Sequence, residues 1–168
     1  MPNWCEGNIR FRGTKEAIKR FLTTEIVSCR HENGEVIEER PIIDDHDDWC
    51  LIIRKAQDHS WLYIKNTRRN FLQDDTPLEI WMEEDDPTKE IIVCVDGFKA
   101  AWSFADHNAW VEFARKYNFD VKLTGYEKGM YFSQVKTVYR DGTVKETIHE
   151  YSDNDDWMWN CPQPNWGG

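Results

Sequence analysis

What this chain of 168 residues lacks narrows its function before any motif is sought. It has no G-x-S-x-G, no P-loop, no H-E-x-x-H and no dinucleotide-binding fingerprint, so the common signatures of catalysis are missing. No apolar run reaches the length that a bilayer-spanning helix needs. Met1–Gly13 has no basic-then-apolar signal segment, and the expected compartment is the cytoplasm. The five cysteines (Cys5, Cys29, Cys50, Cys94 and Cys161) are odd in number, widely spaced and free of any C-x-x-C pair. In a reducing compartment they read as free thiols, several of them core fillers. Positive charge is also scarce: 21 Lys and Arg against 31 Asp and Glu leave a net charge of −10. Such a surface repels nucleic-acid phosphate and anionic membrane unless a local basic patch escapes the average, and it suits a basic partner. No internal repeat is visible.

Tryptophan is abundant, with nine in the chain. As a strong anchor in cores and in interfaces, it points to a dense core or a binding surface. The length fits one domain with a substantial core. The stretch Ile91–Phe119 organises that core. Ile91, Ile92, Val93 and Val95 suit a buried strand, and Asp96-Gly97 offers the chemistry of a tight hairpin before Phe98–Trp102 resumes a strand. Ser103 is placed to cap a helix, with Asp106 reaching back to free N–H groups. Trp110, Phe113, Ala114 and Tyr117 then fall on one helical stripe.

Asn8–Arg12 alternates as a half-buried strand, and Thr14 can cap a helix over Lys15–Ser28 with Ala17, Ile18, Phe21, Leu22 and Ile26 on one face. This is the opening of a split β-α-β unit. Cys29–Ser60 reads as an irregular insert, with short strands at Val36-Ile37 and Ile42-Ile43, a solvated acidic loop at Asp44–Asp48, and a strand or helix start at Trp49–Ile53. Leu78–Met82 reads as one further strand. Asp120–Tyr126 alternates, and Asp141-Gly142 marks a hairpin between Met130–Tyr139 and Thr143–Tyr151. A two-residue turn there sets Tyr139 opposite Val144 and Val135 opposite Ile148. The order predicts a ferredoxin-like α+β sandwich over residues 1–152: one antiparallel sheet, two helices on one face, the insert after the first helix and the C-terminal hairpin. Residues 153–168 form an acidic, tryptophan-rich tail.

Pro2–Gly13 (PNWCEGNIRFRG) resembles the N-terminal signature of the YubB-type ferredoxin-like proteins of phages, prophages and plasmids. The likeness extends to Ala101-Trp102-Ser103, to Phe113–Tyr117 (FARKY) and to Tyr126–Phe132 (YEKGMYF), in the same order along the chain. The resemblance implies a ferredoxin-like fold without an iron–sulfur cluster. It also implies an accessory role in a mobile element, such as interference with a host defence system, with no established enzymatic activity.

Three clusters are candidates for chemistry. Cys29-x-His31 and His46-x3-Cys50 carry metal-ligand types, and two such pairs could complete a zinc tetrahedron. The alternative is a core cysteine and two polar histidines in an acidic loop, and no metal or other cofactor is expected. The acidic runs Asp44–Asp48, Glu83–Asp86 and Asp153–Asp156 offer oxygen ligands for Ca²⁺ or Mg²⁺ but lack the EF-hand periodicity, so solvated loops are expected. Trp61, Tyr63, Lys65, Arg68, Arg69 and Phe71 mix aromatics with cations as single-stranded nucleic-acid platforms do. His107 has no nucleophile near it in sequence. The expectation is a protein that binds and does not catalyse, acting on an unidentified host protein inside the host cell. Nucleic-acid contact through Lys65–Arg69 is the alternative, and no membrane partner is expected. A broad acidic face with exposed tryptophans favours the first reading, and a basic patch flanked by aromatics the second.

Overall fold

The computed structural model describes residues 3–33, 35–47, 49–57, 61–67, 69–72 and 77–168, apart from the side chains of His31, His46 and Asp47. The chain opens with strand β1 (Trp4–Thr14), helix α1 (Lys15–Glu25) and strand β2 (Ile26–Glu32). Strands β3 (Glu35–Glu39), β4 (Ile42–Asp47), β5 (Cys50–Arg54), β6 (Trp61–Ile64), β7 (Asn70–Leu72) and β8 (Leu78–Trp81) follow. Then come β9 (Glu90–Ala101), α2 (His107–Tyr117), β10 (Asp120–Glu127), β11 (Phe132–Val138), β12 (Val144–Glu150) and α3 (Asn154–Asn160). Among the described residues no helix is long and apolar enough to cross a membrane.

Among the described residues nine strands form one sheet in the order β12-β11-β10-β1-β9-β7-β6-β2-β3, and β4-β5-β8 form a second sheet of three. All described pairings are antiparallel. This corrects the ferredoxin-like sandwich expected from the sequence: half of the structure is strand, about a fifth is helix, and the described residues hold three helices. The opening is not a split β-α-β unit either, since β9, β7 and β6 separate β2 from β1. The reason lies in the expected irregular insert, Cys29–Ser60, together with β2 that leads into it and β6 and β7 that follow. These strands are only three to seven residues long. Each gains a ladder only from a partner distant in sequence, as when Leu62 meets Ser28 on one side and Leu72 on the other.

β1 alternates, with Cys5, Ile9 and Phe11 buried and Arg10 and Arg12 exposed. Thr14 caps α1 by accepting from the Ala17 N–H at 3.3 Å. The helix stops at Glu25, short of the expected Ser28, because β-branched Ile26 and Val27 pair with Ile64 and Tyr63 of β6. Asp96-Gly97 does not turn the chain. Gly97, at φ 75°, is an extra residue in a continuous β9, facing the Gly7/Asn8 step of β1 as a β-bulge. Ser103 does not cap α2; its N-cap is Asp106, which makes no side-chain cap bond.

The core lies between the large sheet and the two helices. Phe21 of α1 meets Phe11, Phe113 and Phe119 at 5.2 Å between ring centroids, and Trp110 at 6.2 Å. Leu51, Ile53, Ile80 and Met82 from the three-stranded sheet and its exit enter the same core. The opposite face of the large sheet carries no helix of that pair. One end of it is covered by the C-terminal segment, whose acids Asp153 and Asp156 serve as caps: Asp153 accepts from the backbone N–H groups of Asp155 and Asp156. Trp157 is fully buried against Tyr131 and Tyr151 and donates to the Pro164 carbonyl at 2.8 Å. Trp166 packs edge-on against Tyr126, and Trp4 and Gly168 exchange backbone hydrogen bonds.

At Gly7 a Cβ would sit 1.7 Å from the Thr124 carbonyl oxygen and 2.8 Å from the Gly125 Cα. Backbone cannot yield as a flexible side chain does. Gly7→Ala should therefore cost at least about 1–3 kcal/mol, seen as a lowered urea midpoint with unchanged slope. Trp157→Ala should release the segment after Tyr151, read as new protease cleavage there while the protection of β1 and β9 in hydrogen exchange persists.

Candidate functional site

The structure divides the predicted platform. Trp61 and Tyr63 lie on the helix-free face of β6, and Phe71 of β7 joins them at 6.1 and 5.5 Å between ring centroids. Trp4 closes the group at 5.7 Å from Phe71. Burial pushes the Tyr63 hydroxyl up from its ordinary pKa, only partly offset by the Thr67 side chain, and the hydroxyl donates to the Thr67 carbonyl. The cations diverge from these rings. Lys65 follows the end of β6 and lines a shallow groove beside Glu38, Glu39 and Arg40, with its backbone N–H donating to the Glu25 carbonyl at 2.9 Å. Arg69 is exposed, at φ 57°, with its guanidinium 5.5 Å from the Trp102 ring centroid. Arg68 lies outside the described residues. The aromatic half of the segment is thus one cluster, and Lys65 and Arg69 have separate surroundings.

The cysteine–histidine cluster is also split. Cys29 is buried in the large sheet opposite Trp61, and Cys50 is buried in the small sheet opposite Trp81. The side chains of His31 and His46 lie outside the described residues. Among the described residues no group of three or more metal-ligating side chains converges.

Two acidic runs that are distant in sequence come together around the small sheet, and sequence reading misses this. β5 pairs with β4 on one side and β8 on the other, turning Leu51, Ile53 and Ile80 inward. Trp81 faces outward and is 57% exposed; Trp49, at the entry to β5, is 47% exposed. The Met82 N–H donates to the Trp49 carbonyl at 2.7 Å, and the Trp49 indole N–H donates to Asp85 at 3.2 Å. Asp44 and Asp45 come from β4, Glu79 from β8, and Glu83–Asp86 from the turn beyond it. Lys89 beside Glu84 holds that carboxyl below the usual range, and hydrogen bonds from Thr88 do the same for Asp86. Lys19 and Lys89 neutralise Asp45 and Glu84, while Glu79 and Glu83 hold no ion pair among the described residues. The only local hint is that Trp49 and Trp81 each adjoin an acidic run; the pairing of β5 with β8 is not written nearby.

A cleft of about 580 Å³ opens between the Ser103–His107 segment and the β11–β12 hairpin. Gln134, Lys136 and Glu146 on its wall are already engaged. The Phe104 N–H donates to the side-chain Oε1 of Gln134 at 3.0 Å, and Lys136 donates to the Phe104 carbonyl. Glu146 accepts from Gln134 and pairs with Lys136 at 3.1 Å. These contacts brace the lead into α2, and the exposed His107 also lines the cleft.

On the helix-free face, Asp120 draws together Arg12, at 2.5 Å, and Arg140, at 3.2 Å. Burial pushes the Asp120 carboxyl up, but the Arg140 side chain and backbone N–H, with Arg12, outweigh it and hold the pKa below its ordinary value of 3.8. A depressed carboxyl pKa gives stability that is full above the unfolded value and is lost as pH falls through the folded one. Asp120→Asn should lose about 2–3 kcal/mol at pH 7. It should also show a shallower fall as pH drops below that ordinary value, measured as urea midpoints across pH.

Comparison with protein-family models, curated proteins and solved structures gives no match.

Proposed function

We propose that this chain is a binding protein, an accessory factor of a mobile element that captures a basic protein of its host cell. The observation that carries the reading is the outer face of the three-stranded sheet. Trp81 stands about half exposed there and Trp49 about half exposed at the edge of the sheet, just before β5, among acids drawn from two separate runs. Tryptophan is enriched among the residues that dominate interface energies, and surrounding charge of one sign steers a partner of the other. The mobile-element setting rests on the resemblance at Pro2–Gly13, and interference with a host defence system is the role that setting implies. A target with a basic nucleic-acid groove offers the complementary charge.

The test is a pull-down of the tagged chain from host lysate, with and without nuclease, repeated with Trp49→Ala/Trp81→Ala. One stoichiometric basic protein should survive nuclease and bind the double variant at least about 30-fold more weakly, as loss of an interface hot spot entails. Partners that vanish with nuclease, or a partner held equally by the double variant, would overturn the reading.

A further inference from the structure

We propose a second, independent site: a track for single-stranded nucleic acid on the helix-free face of the large sheet. Its cations differ from those that the sequence suggests. Arg10 of β1 stands directly opposite Lys122 of β10, Lys122 opposite Thr137 of β11, and Thr137 opposite Lys145 of β12. Directly opposed residues share a face, so Arg10, Lys122 and Lys145 form one row across four neighbouring strands. With strands about 4.8 Å apart, the row spans roughly 14 Å. All three side chains are exposed.

Apart from the exposed Asp96 of β9, whose carboxylate lies against the Cys94 thiol, the neighbouring charges on this face are accounted for differently. Arg12 and Arg140 are taken up by Asp120, Arg140 also by Glu90, and Lys99 by Glu6. No described acid forms an ion pair with Arg10, Lys122 or Lys145. The contacts they make are of another kind: Arg10 lies against the Cys94 thiol, and the Lys145 ammonium sits 5.6 Å from the Tyr139 ring centroid. Like charges set directly opposite each other in a sheet are destabilising, and Arg10 and Lys122 are such a pair in a chain with an excess of acids. An anion laid along the row would remove that repulsion. Thr124, Thr137 and Thr147 add hydroxyls on the same face.

A polymer is indicated by what lies beyond the row. Glu6 is four residues from Arg10 along β1, about 13 Å away. Its cross-strand row runs through Lys99 and Phe71 to Tyr63. The row therefore leads towards the half-buried rings of Trp4, Trp61, Tyr63 and Phe71. Cations that track a backbone, beside aromatic faces on which bases stack, are the two parts of a sequence-tolerant single-strand site.

The experiment is fluorescence anisotropy with a labelled 20-nucleotide oligothymidylate, across 25–200 mM salt, on the full chain. Wild type should bind with a salt slope to which the three cations contribute about −2, from roughly −0.7 per phosphate contacted on a single strand. Arg10→Glu/Lys122→Glu/Lys145→Glu should lose at least about tenfold in affinity together with that part of the slope. Phe71→Ala should weaken binding roughly tenfold or more with the slope unchanged. Lys122→Gln/Lys145→Gln, two exposed and milder changes whose folding is checked by thermal unfolding, should lie between wild type and the triple variant. No binding by wild type at 25 mM salt, or equal binding by the folded charge variants, would overturn the proposal. Equal competition by inorganic polyphosphate and by oligothymidylate at matched phosphate would overturn the nucleic-acid assignment. None of these readouts uses Trp49 or Trp81, so this site and the acidic face succeed or fail separately.

Discussion

The large sheet depends on β1 being held along both edges. β9 and β10 lie against it over most of its length, and at Gly7 the approach of β10 is so close that no side chain fits. The bulge at Gly97 is the counterpart of that closeness on the other edge. One extra residue in β9 lets both strands stay paired past Gly7, and the local twist that a bulge adds is absorbed where the chain has glycine on both sides. With β1 fixed in this way, its inward residues Ile9 and Phe11 meet Phe21 and the stripe of α2. Its outward residues Glu6, Arg10 and Arg12 set the chemistry of the free face.

The sequence reveals what is decided locally. The alternation of β1, the stripe of Ile18, Phe21 and Leu22 in α1, and that of Trp110, Phe113, Ala114 and Tyr117 in α2 all lie where the residue patterns place them. The Asp141-Gly142 hairpin is present too, but one residue out of the expected register. Tyr139 pairs with Thr143 through the turn, so Val138 opposes Val144 and Val135 opposes Thr147. Gly142 at φ 92° makes the loop longer than two residues, and in a strand a shift of one exchanges the faces. Lys145 consequently stands beside Thr137 on the open face, and Glu146 on the helix side reaches Lys136.

What is not legible is what depends on partners far along the chain. Strands of three to seven residues between acidic turns have too little periodicity to announce themselves, and their burial comes from pairing across dozens of positions. The candidate sites follow the same rule. Trp61, Tyr63 and Phe71 are close in sequence and close in space. Lys65 and Arg69, equally close in sequence, are drawn apart by the turn after β6, where Asn66 and Arg69 take positive φ. The acidic tryptophan face joins residues more than thirty positions apart, and the row of Arg10, Lys122 and Lys145 takes one residue from each of three strands. No local motif encodes either.

The bound C-terminal segment has a further meaning for the molecule as a mechanical object. Trp4 and Gly168 form a two-bond bridge, and the Gly167 N–H donates to Glu6 at 3.1 Å. Strand β1, the most strongly held element, is thereby clasped to the last residues of the described chain. A force applied between these two ends meets the bridge before it reaches the sheet. The bridge closes the two ends of the described chain into one loop, so the tension falls on β1 and on the C-terminal segment only once these bonds have parted.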